Sequence, residues 1–424
     1  MKKVCCILLC GLFFLSCKKN VEAPPVPDLT WDLFESAAAQ RLPAASFQKM
    51  EGVYTIDQGT EDFGTLAPAR WSYTVEGTDT TYHLSFFLGQ DAAYIVCEGR
   101  RVDSTILLNG YWRKMVSTAT RSIRLTIAKD SGAALLLDTG SHVLNPSVLI
   151  SGVYSLGNTA PDIPIRLRYT RTLYRATPFE ILAHRCGGRT ADLLPASENS
   201  VEMTKLAARF GATGIETDVQ LTKDGVPIIY HDATLNERLI QKNGLVGPIS
   251  NYTYDQLYTL VRLTHGEHIP TLREILHTVV YNTPLEFVWL DSKYPESLQA
   301  EKELQAEFLQ KAAAIGRKLE IVIGIPDKDV LAQFKKMPGY QNIPSLVEFS
   351  PTEATAVSAR VWGPQWTLGL QNEEVAAQQA QGRRVFTWTV DIAENVQRYM
   401  REGRFDGILS NYPSLTAFYY YARQ

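Results

Sequence analysis

The stretch from 181 to 219 reads ILAHRCGGRTADLLPASENSVEMTKLAARFGATGIETDV, and it decides the fold class. Its two ends, 181–183 and 214–219, are short apolar runs typical of buried parallel strands. The segment 199–210 between them has the apolar spacing of a helix. The stretch therefore predicts one strand–helix–strand unit with polar residues following each strand.

The same alternation continues through the C-terminal part of the chain. Further strands are predicted at 285–290, 321–325, 346–349, 362–366, 385–390 and 406–410, with an added hairpin strand at 226–230 and helices such as 298–315 and 373–381. Eight such units over 178–424 predict an α/β protein of the (β/α)8 barrel type, which typically needs about 250 residues. A doubly wound sheet is the alternative, because sequence does not show strand order.

The preceding region, residues 45–172, has a different pattern. Short strand-like segments such as 52–56, 82–87 and 122–127 are separated by Gly, Asp and Asn. We predict a smaller all-β domain, a sandwich or a barrel, without a chemical motif. The chain has 424 residues with 45% hydrophobic content and a net charge of -3, so it is globular. Since it has no basic stripe, we expect no nucleic-acid partner.

The N-terminus is predicted to be a targeting segment. Two lysines precede an apolar run over 4–15, which is shorter than the roughly 20 residues that span a bilayer. The run ends in Leu15-Ser16-Cys17, which resembles a bacterial lipoprotein signal with Cys17 as the lipidated residue. We expect a signal at 1–17, a tether over 18–44, and a lipid anchor in the cell envelope on the periplasmic or cell-surface side. An ordinary secretory signal is the alternative.

Three carboxylates are predicted to meet at one edge of the barrel. Glu216 and Asp218 are two residues apart on one strand, so their side chains project to the same side, and Asp291 closes the next strand. Carboxylates this close repel one another unless a cation lies between them. The pattern therefore predicts a hard divalent cation with oxygen ligands.

Histidines and cations follow the same strand ends. His184 and Arg185 come after the first strand, His231 follows the hairpin strand, and Lys293 follows Asp291. Histidines suit proton transfer near neutral pH. Arginine and lysine suit an anionic phosphate group. Each residue alone has an ordinary structural explanation; their joint position at successive strand ends indicates a catalytic site.

A series of motifs occurs in a fixed order along this region. They are 184–188 (HRCGG), 197–200 (SENS), 216–219 (ETDV), 222–225 (TKDG), 231–232 (HD), 290–293 (LDSK), 388–391 (WTVD) and 406–413 (DGILSNYP). The order resembles that of the glycerophosphodiester phosphodiesterase family, with its His-Arg-Gly, Pro-Glu-Asn-Thr, Glu-x-Asp-Val, Thr-Lys-Asp-Gly, His-Asp, Glu-x-Lys, Trp-Thr-Val-Asn and Asp-Gly-Ile-Ile-Thr-Asp-x-Pro motifs. The resemblance covers residues 178–424.

The resemblance implies a reaction and a role for each residue. The reaction is metal-dependent hydrolysis of glycerophosphodiesters to an alcohol and glycerol 3-phosphate, by direct attack of water or through a cyclic phosphate. The implied roles are Glu216, Asp218 and Asp291 for Ca2+ or Mg2+, Arg185 and Lys293 for phosphate, His184 and His231 for acid/base catalysis, and Trp388 for substrate binding. Two alternatives remain open. Trp388 could instead fill the barrel core. Glu198 could either orient Arg185 or favour the start of the first helix.

This chain departs from the family motifs at several positions. Cys186 follows Arg185 where the family has glycine, and Ser197 replaces proline. Asp291 replaces the glutamate expected as third metal ligand, and Asp391 replaces an asparagine. The changes at Cys186 and Asp291 are expected to weaken phosphate or metal binding, but no expected acid, base or charge is lost.

Other functions remain as alternatives. A phospholipase C- or D-like enzyme would act on intact or lyso phospholipids with the same groups. A glycoside hydrolase would use the carboxylate pair without a metal, but the His-Arg pair and Lys293 argue against it. A non-catalytic surface-binding protein would need no acid/base pair, and the retained charged residues argue against that.

Overall fold

The computed structural model describes residues 27–114, 120–138, 140 and 147–424. The predicted signal over 1–17, including Cys17, lies outside these residues. Across the described ranges, no helix combines the length and apolar character needed to cross a membrane. The described chain forms two closed barrels, one after the other along the sequence.

The first barrel is antiparallel. Its strands pair in the order β5-β4-β3-β2-β9-β8-β7-β6, and β5 pairs with β6 to close the ring. Inward and outward residues alternate: on β9, Ile165, Leu167 and Tyr169 are buried while Arg166 and Arg168 are exposed. The predicted all-β domain is therefore confirmed, as a barrel. The elements are β1 (Gln40–Arg41), β2 (Gly52–Gln58), β3 (Leu66–Glu76), β4 (Asp79–Phe87), β5 (Ala93–Val102), β6 (Thr105–Lys114), β7 (Thr120–Ile127), β8 (Leu149–Tyr154), β9 (Ile163–Arg171), α1 (Asp32–Glu35), α2 (Ala44–Lys49), α3 (Thr60–Phe63) and α4 (Ala133–Leu137).

The predicted tether over 18–44 is wrong for its C-terminal part. The side chain of Asn109 donates to the carbonyl of Leu29 at 2.6 Å, and Arg100 donates to the carbonyl of Phe34 at 2.8 Å. Phe34 is buried, and β1 pairs with β5. A few apolar residues of this segment cover the barrel wall. The prolines that precede them along the chain gave no indication of this packing.

The second barrel is the predicted (β/α)8 barrel. Its eight strands are all parallel in the order β10-β20-β19-β18-β17-β16-β15-β11, and β10 pairs with β11 to close it. Closure rules out the doubly wound sheet. The strands are β10 (Glu180–Ala183), β11 (Gly214–Leu221), β15 (Phe287–Ser292), β16 (Glu320–Ile325), β17 (Ser345–Val347), β18 (Val361–Trp362), β19 (Arg384–Thr387) and β20 (Gly407–Ser410).

Helices surround this second barrel, and one insertion extends it. The helices are α5 (Val201–Ala207), α7 (Leu272–Asn282), α8 (Leu298–Ala314), α9 (Lys328–Phe334), α10 (Pro351–Ala356), α11 (Asn372–Gln379), α12 (Ala393–Glu402) and α13 (Pro413–Tyr421). The insertion after β11 holds β12 (Pro227–Ile229), β13 (Thr234–Leu235), β14 (Gly247–Pro248) and α6 (Tyr254–Leu260), with its own small apolar cluster.

The interior of the parallel barrel is filled with side chains. Leu182, Phe287, Trp289, Phe386 and Leu409 belong to one buried cluster inside the ring. A packed interior leaves chemistry to the carboxyl ends of the strands, as is usual in this fold.

The two barrels pack against each other through apolar side chains. Tyr94 on the outer face of the antiparallel barrel meets Phe210 with ring centroids 5.1 Å apart, and Phe87 stacks on Tyr421 of α13. Phe87, Tyr94 and Phe210 are fully buried. A contact of this kind fixes the orientation of the two barrels.

Candidate active site

The register of the parallel strands brings the predicted acids together. Asp218 on β11 lies directly beside Asp291 on β15, and Glu216 is two residues earlier on β11. One carboxylate oxygen from each of the three lies within 4.8 Å of the others. Glu216 and Asp218 are buried, and Asp291 is partly exposed.

The three carboxylates fit a divalent cation. Burial, with the charges of Asp218 and Asp291, holds the pKa of Glu216 well above its ordinary value. Burial also raises the pKa of Asp291. Glu216 Oε1 and Asp291 Oδ1 are buried and accept no hydrogen bond from the described residues. Crowded oxygens with free lone pairs are the ligand set that a hard cation prefers.

Lys293 neutralises part of this negative charge. Its ammonium lies 2.7 Å from Asp218 Oδ1 and also contacts Asp291 Oδ2. Burial alone would lower the pKa of Lys293, but the two aspartates outweigh burial and raise it. Lys293 therefore stays charged.

His184 lies beside the acidic cluster. Its Nε2 is 3.7 Å from Glu216 Oε2, and its Nδ1 is 2.8 Å from Asn411 Oδ1. Burial, with the neighbouring Arg185 charge, lowers the pKa of His184 to about 3. The imidazole is accordingly neutral at physiological pH and available as a proton acceptor.

Arg185 joins the first strand end to the second histidine. Its backbone is left-handed, with φ of 52°, which directs its N–H to Glu216 Oε2 at 2.8 Å. Its guanidinium contacts Glu198 Oε1 and His231 Nε2, each at 2.8 Å. Glu198 is therefore the partner of Arg185. It does not start the helix, because α5 begins at Val201 with Ser200 as its cap.

His231 is held from its other side by an ion-pair network. Its Nδ1 is 2.8 Å from Asp232 Oδ1, and Arg238 contacts the same carboxylate at 2.5 Å. Burial would raise the pKa of Asp232, but hydrogen bonds from Arg238 and His231 outweigh burial and keep it below its ordinary range. Asp232 therefore stays ionised and orients the imidazole of His231 through Nδ1.

Trp388 lies at the edge of the barrel mouth. Its Nε1 donates to the carbonyl of Gly363 at 2.6 Å, and its ring packs on the interior cluster while remaining partly exposed. The side chain therefore closes the core and also presents a face to the mouth.

Two of the departures from the family motifs are explained locally. The thiol of Cys186 donates to Thr217 Oγ1 at 3.2 Å, and burial raises its pKa to about 12, so it is a neutral side chain turned away from the mouth. The backbone N–H and hydroxyl of Ser197 donate to Glu267 at 2.9 and 2.7 Å. Neither residue removes a charged group from the site.

Sequence reasoning missed several residues around the site. Arg238 comes from the insertion, where no local pattern singles it out. Glu348 follows β17, and its pKa is raised by burial and by the charge of Asp291. Its position near the end of the strand predicted at 346–349 was a usable signal. Asn411 was visible in the last motif, but its contact with His184 depends on barrel closure.

A closed parallel barrel with acids, histidines and cations together at its carboxyl mouth is the architecture of a barrel enzyme. The glycerophosphoryl diester phosphodiesterase family matches residues 184–415. The chain belongs to this family and is a phosphodiesterase.

Individual proteins are similar to this chain over different lengths. A glycerophosphodiester phosphodiesterase of Caldanaerobacter subterraneus subsp. tengcongensis is 26% identical over 245 residues, covering 55% of this chain and 94% of the relative. The human glycerophosphodiester phosphodiesterase 1 is 29% identical over 185 residues. The matched segment covers 42% of this chain and 53% of the human protein. An Oleispira antarctica phosphodiesterase, solved with the product sn-glycerol-3-phosphate, is 20% identical and covers 55% of this chain and 94% of its own, with a TM-score of 0.44.

Proposed function

We propose that this enzyme hydrolyses glycerophosphodiesters to an alcohol and glycerol 3-phosphate. The observation that carries the proposal is the convergence of three carboxylates, Lys293 and the His184–Arg185 pair within one barrel mouth. A bacterial relative that is matched over 245 residues, 94% of its own length, is named for this substrate class. The glycoside hydrolase alternative does not account for the partly buried Lys293 and Arg185.

The basic side chains bind the phosphate directly, whereas the acidic side chains would act through a divalent cation. Arg185 and Lys293 bind the phosphate oxygens, since both point into the mouth with charged donors. A divalent cation, Ca2+ or Mg2+, would be held by Glu216, Asp218 and Asp291 and would polarise the phosphate as a Lewis acid. Trp388 packs against the glycerol portion from the opposite side of the mouth.

The histidines move the protons. Neutral His184 takes the proton of the attacking hydroxyl at Nε2, the nitrogen that faces the acidic cluster. His231 gives a proton to the leaving alcohol oxygen, for which its Nε2 must first exchange the guanidinium of Arg185 for a proton, and Asp232 holds the ring through Nδ1. The attacking hydroxyl belongs to water or to the glycerol itself; detection of a cyclic phosphate during turnover identifies the second case.

A substrate panel tests the proposal. Purified enzyme is given glycerophosphocholine, glycerophosphoethanolamine, lysophosphatidylcholine and phosphatidylcholine, each with and without EDTA, and the released choline or ethanolamine, phosphocholine and glycerol 3-phosphate are all measured. We expect cleavage of the two deacylated substrates and its loss in EDTA, with His184→Ala as the background control. Cleavage confined to acylated substrates would support the phospholipase alternative, and binding without cleavage would support a surface-binding protein.

We also propose attachment to the cell envelope through lipidated Cys17, on the sequence grounds given above. Two or more acyl chains on one residue anchor a protein stably. Cys17→Ser should remove the protein from the membrane fraction. Unchanged fractionation, with no acyl mass on the N-terminal peptide, would indicate an ordinary secretory signal.

A further inference from the structure

Asp391 collects three hydrogen bonds from the end of the last barrel strand. Its Oδ1 accepts from the hydroxyl of Ser410 at 3.0 Å and from the backbone N–H of Asn411 at 2.8 Å. Its Oδ2 accepts from the side-chain amide of Asn411 at 2.6 Å. Asn411 is 3% exposed, so water can hardly replace these hydrogen bonds.

This contact determines which way the Asn411 amide points. An ionised carboxylate only accepts hydrogen bonds, so the NH2 group of Asn411 must face Asp391. Its oxygen then faces His184 Nδ1, 2.8 Å away. Because that oxygen only accepts, neutral His184 must carry its proton on Nδ1 and its lone pair on Nε2.

We propose that Asp391 is a positioning residue that sets the tautomer of His184 through Asn411. The inference rests on the proposed function, in which His184 Nε2 is the proton acceptor. Without Asp391, the Asn411 amide is free to turn its NH2 toward Nδ1. The lone pair of His184 would then lie on Nδ1, and Nε2 would hold the proton it is required to accept.

The same pair explains two departures from the family motifs. In the motifs that this chain resembles, asparagine stands at the position of Asp391 and aspartate at that of Asn411. The structure places these two side chains in direct contact, so the departures form a reciprocal exchange that keeps one carboxylate and one amide. With aspartate at 411 and asparagine at 391, the carboxylate would accept from His184 Nδ1 directly, and the tautomer would be the same.

The proposed exchange can be tested by mutating Asp391 and Asn411 singly and together. Asn411→Asp alone would place two carboxylates in hydrogen-bond contact, and Asp391→Asn alone would leave two amides. We expect Asp391→Asn to lose kcat by at least about tenfold with KM changed by less than about twofold, since proton transfer is affected and binding is not. The double variant Asp391→Asn with Asn411→Asp should recover kcat to within about threefold of the natural protein.

A control and a second measurement complete the design. Glu394→Gln removes the same charge from an exposed side chain three residues after Asp391 and should leave kcat unchanged. Long-range 1H–15N NMR of the histidines reports the tautomer of His184 without any turnover, with His184→Ala identifying its signals. We expect the Nδ1–H form in the natural protein and the double variant, and the Nε2–H form or a mixture in Asp391→Asn.

These measurements separate the inference from the proposed function. A double variant no more active than the worse single variant would overturn the inference, and so would an unchanged tautomer in Asp391→Asn. If the natural protein cleaves no glycerophosphodiester yet shows the expected tautomers, the proposed function fails while the positioning by Asp391 stands.

Discussion

Glu301 is a buried acid directly behind strand β15, which carries Asp291, and its titration should be measurable in the stability of the protein. Asp291 and Lys293 face the mouth from β15, so Ser292 between them faces helix α8, where its hydroxyl donates to Glu301 Oε2 at 2.6 Å. Glu301 is fully buried, and its Oε1 has no hydrogen-bond partner among the described residues.

The size of the effect on the free energy of unfolding follows from the pKa of Glu301. Burial, assisted by the charge of Asp291, raises the pKa of Glu301 from 4.5 to about 7, against the hydrogen bonds from Ser292 and Ser297. A shift of this size corresponds to about 3 kcal/mol at roughly 1.4 kcal/mol per pKa unit. The folded state holds this proton more tightly than the unfolded state. The free energy of unfolding therefore falls as pH rises from 4.5 to about 7, and the full cost is present above pH 7.

Glu301→Gln removes the titration. The variant should unfold like the natural protein at pH 4.5 and become the more stable of the two by up to about 3 kcal/mol at pH 8. Thermal melts in metal-free buffer at pH steps between 4.5 and 8 measure the difference. Glu303→Gln, on the exposed side of the same helix, is the control and should show no such trend. A stability difference between Glu301→Gln and the natural protein that stays constant across this range would refute the reasoning.

Three further outcomes are expected. His184→Ala and His231→Ala should each reduce turnover at least about 100-fold with an unchanged melting temperature, and near-normal turnover in either variant would remove that histidine from the mechanism. Asp291→Glu should stay active, whereas Asp291→Asn should raise the half-saturating metal concentration at least about tenfold because one charge leaves the cluster; equal metal titrations would show that Asp291 is not a ligand. Gly211→Ala should lower the stability by at least about 2 kcal/mol without changing turnover of the folded protein, since Gly211 has φ of 95° and a Cβ would lie 2.6 Å from that of Ala417. A wild-type melt of this variant would mean that Ala417 on α13 moves aside at little cost.

The parallel barrel and most of its mouth were predictable from sequence because local and global patterns agree there. The two-residue spacing of Glu216 and Asp218 fixes a common direction on any strand, and the position of Asp291 after the next strand fixes a common edge. The strand register then adds only the detail that Asp218 lies beside Asp291 itself.

Other features depend on contacts that sequence does not encode locally. Arg238 reaches Asp232 from an irregular insertion, and Asn411 reaches His184 only because the last strand pairs with the first. The antiparallel barrel has the same alternation as a sandwich would have, so only the pairing of β5 with β6 distinguishes them. The packing of residues 28–44 rests on a few apolar side chains such as Phe34.

The late position of helix α13 in the sequence affects how the barrel folds during translation. It follows β20, and together they are the final elements of the barrel in order of synthesis. The first strand, β10, must wait for β20 before its outer edge is covered, and Phe87 of the already completed antiparallel barrel must wait for Tyr421. During translation both an open strand edge and an apolar patch are therefore exposed on the ribosome until nearly the whole barrel has emerged, a period in which association with other nascent chains competes with folding. The turn that presents Asn411 to His184 forms in the same late step, so catalytic competence and protection from aggregation are acquired together.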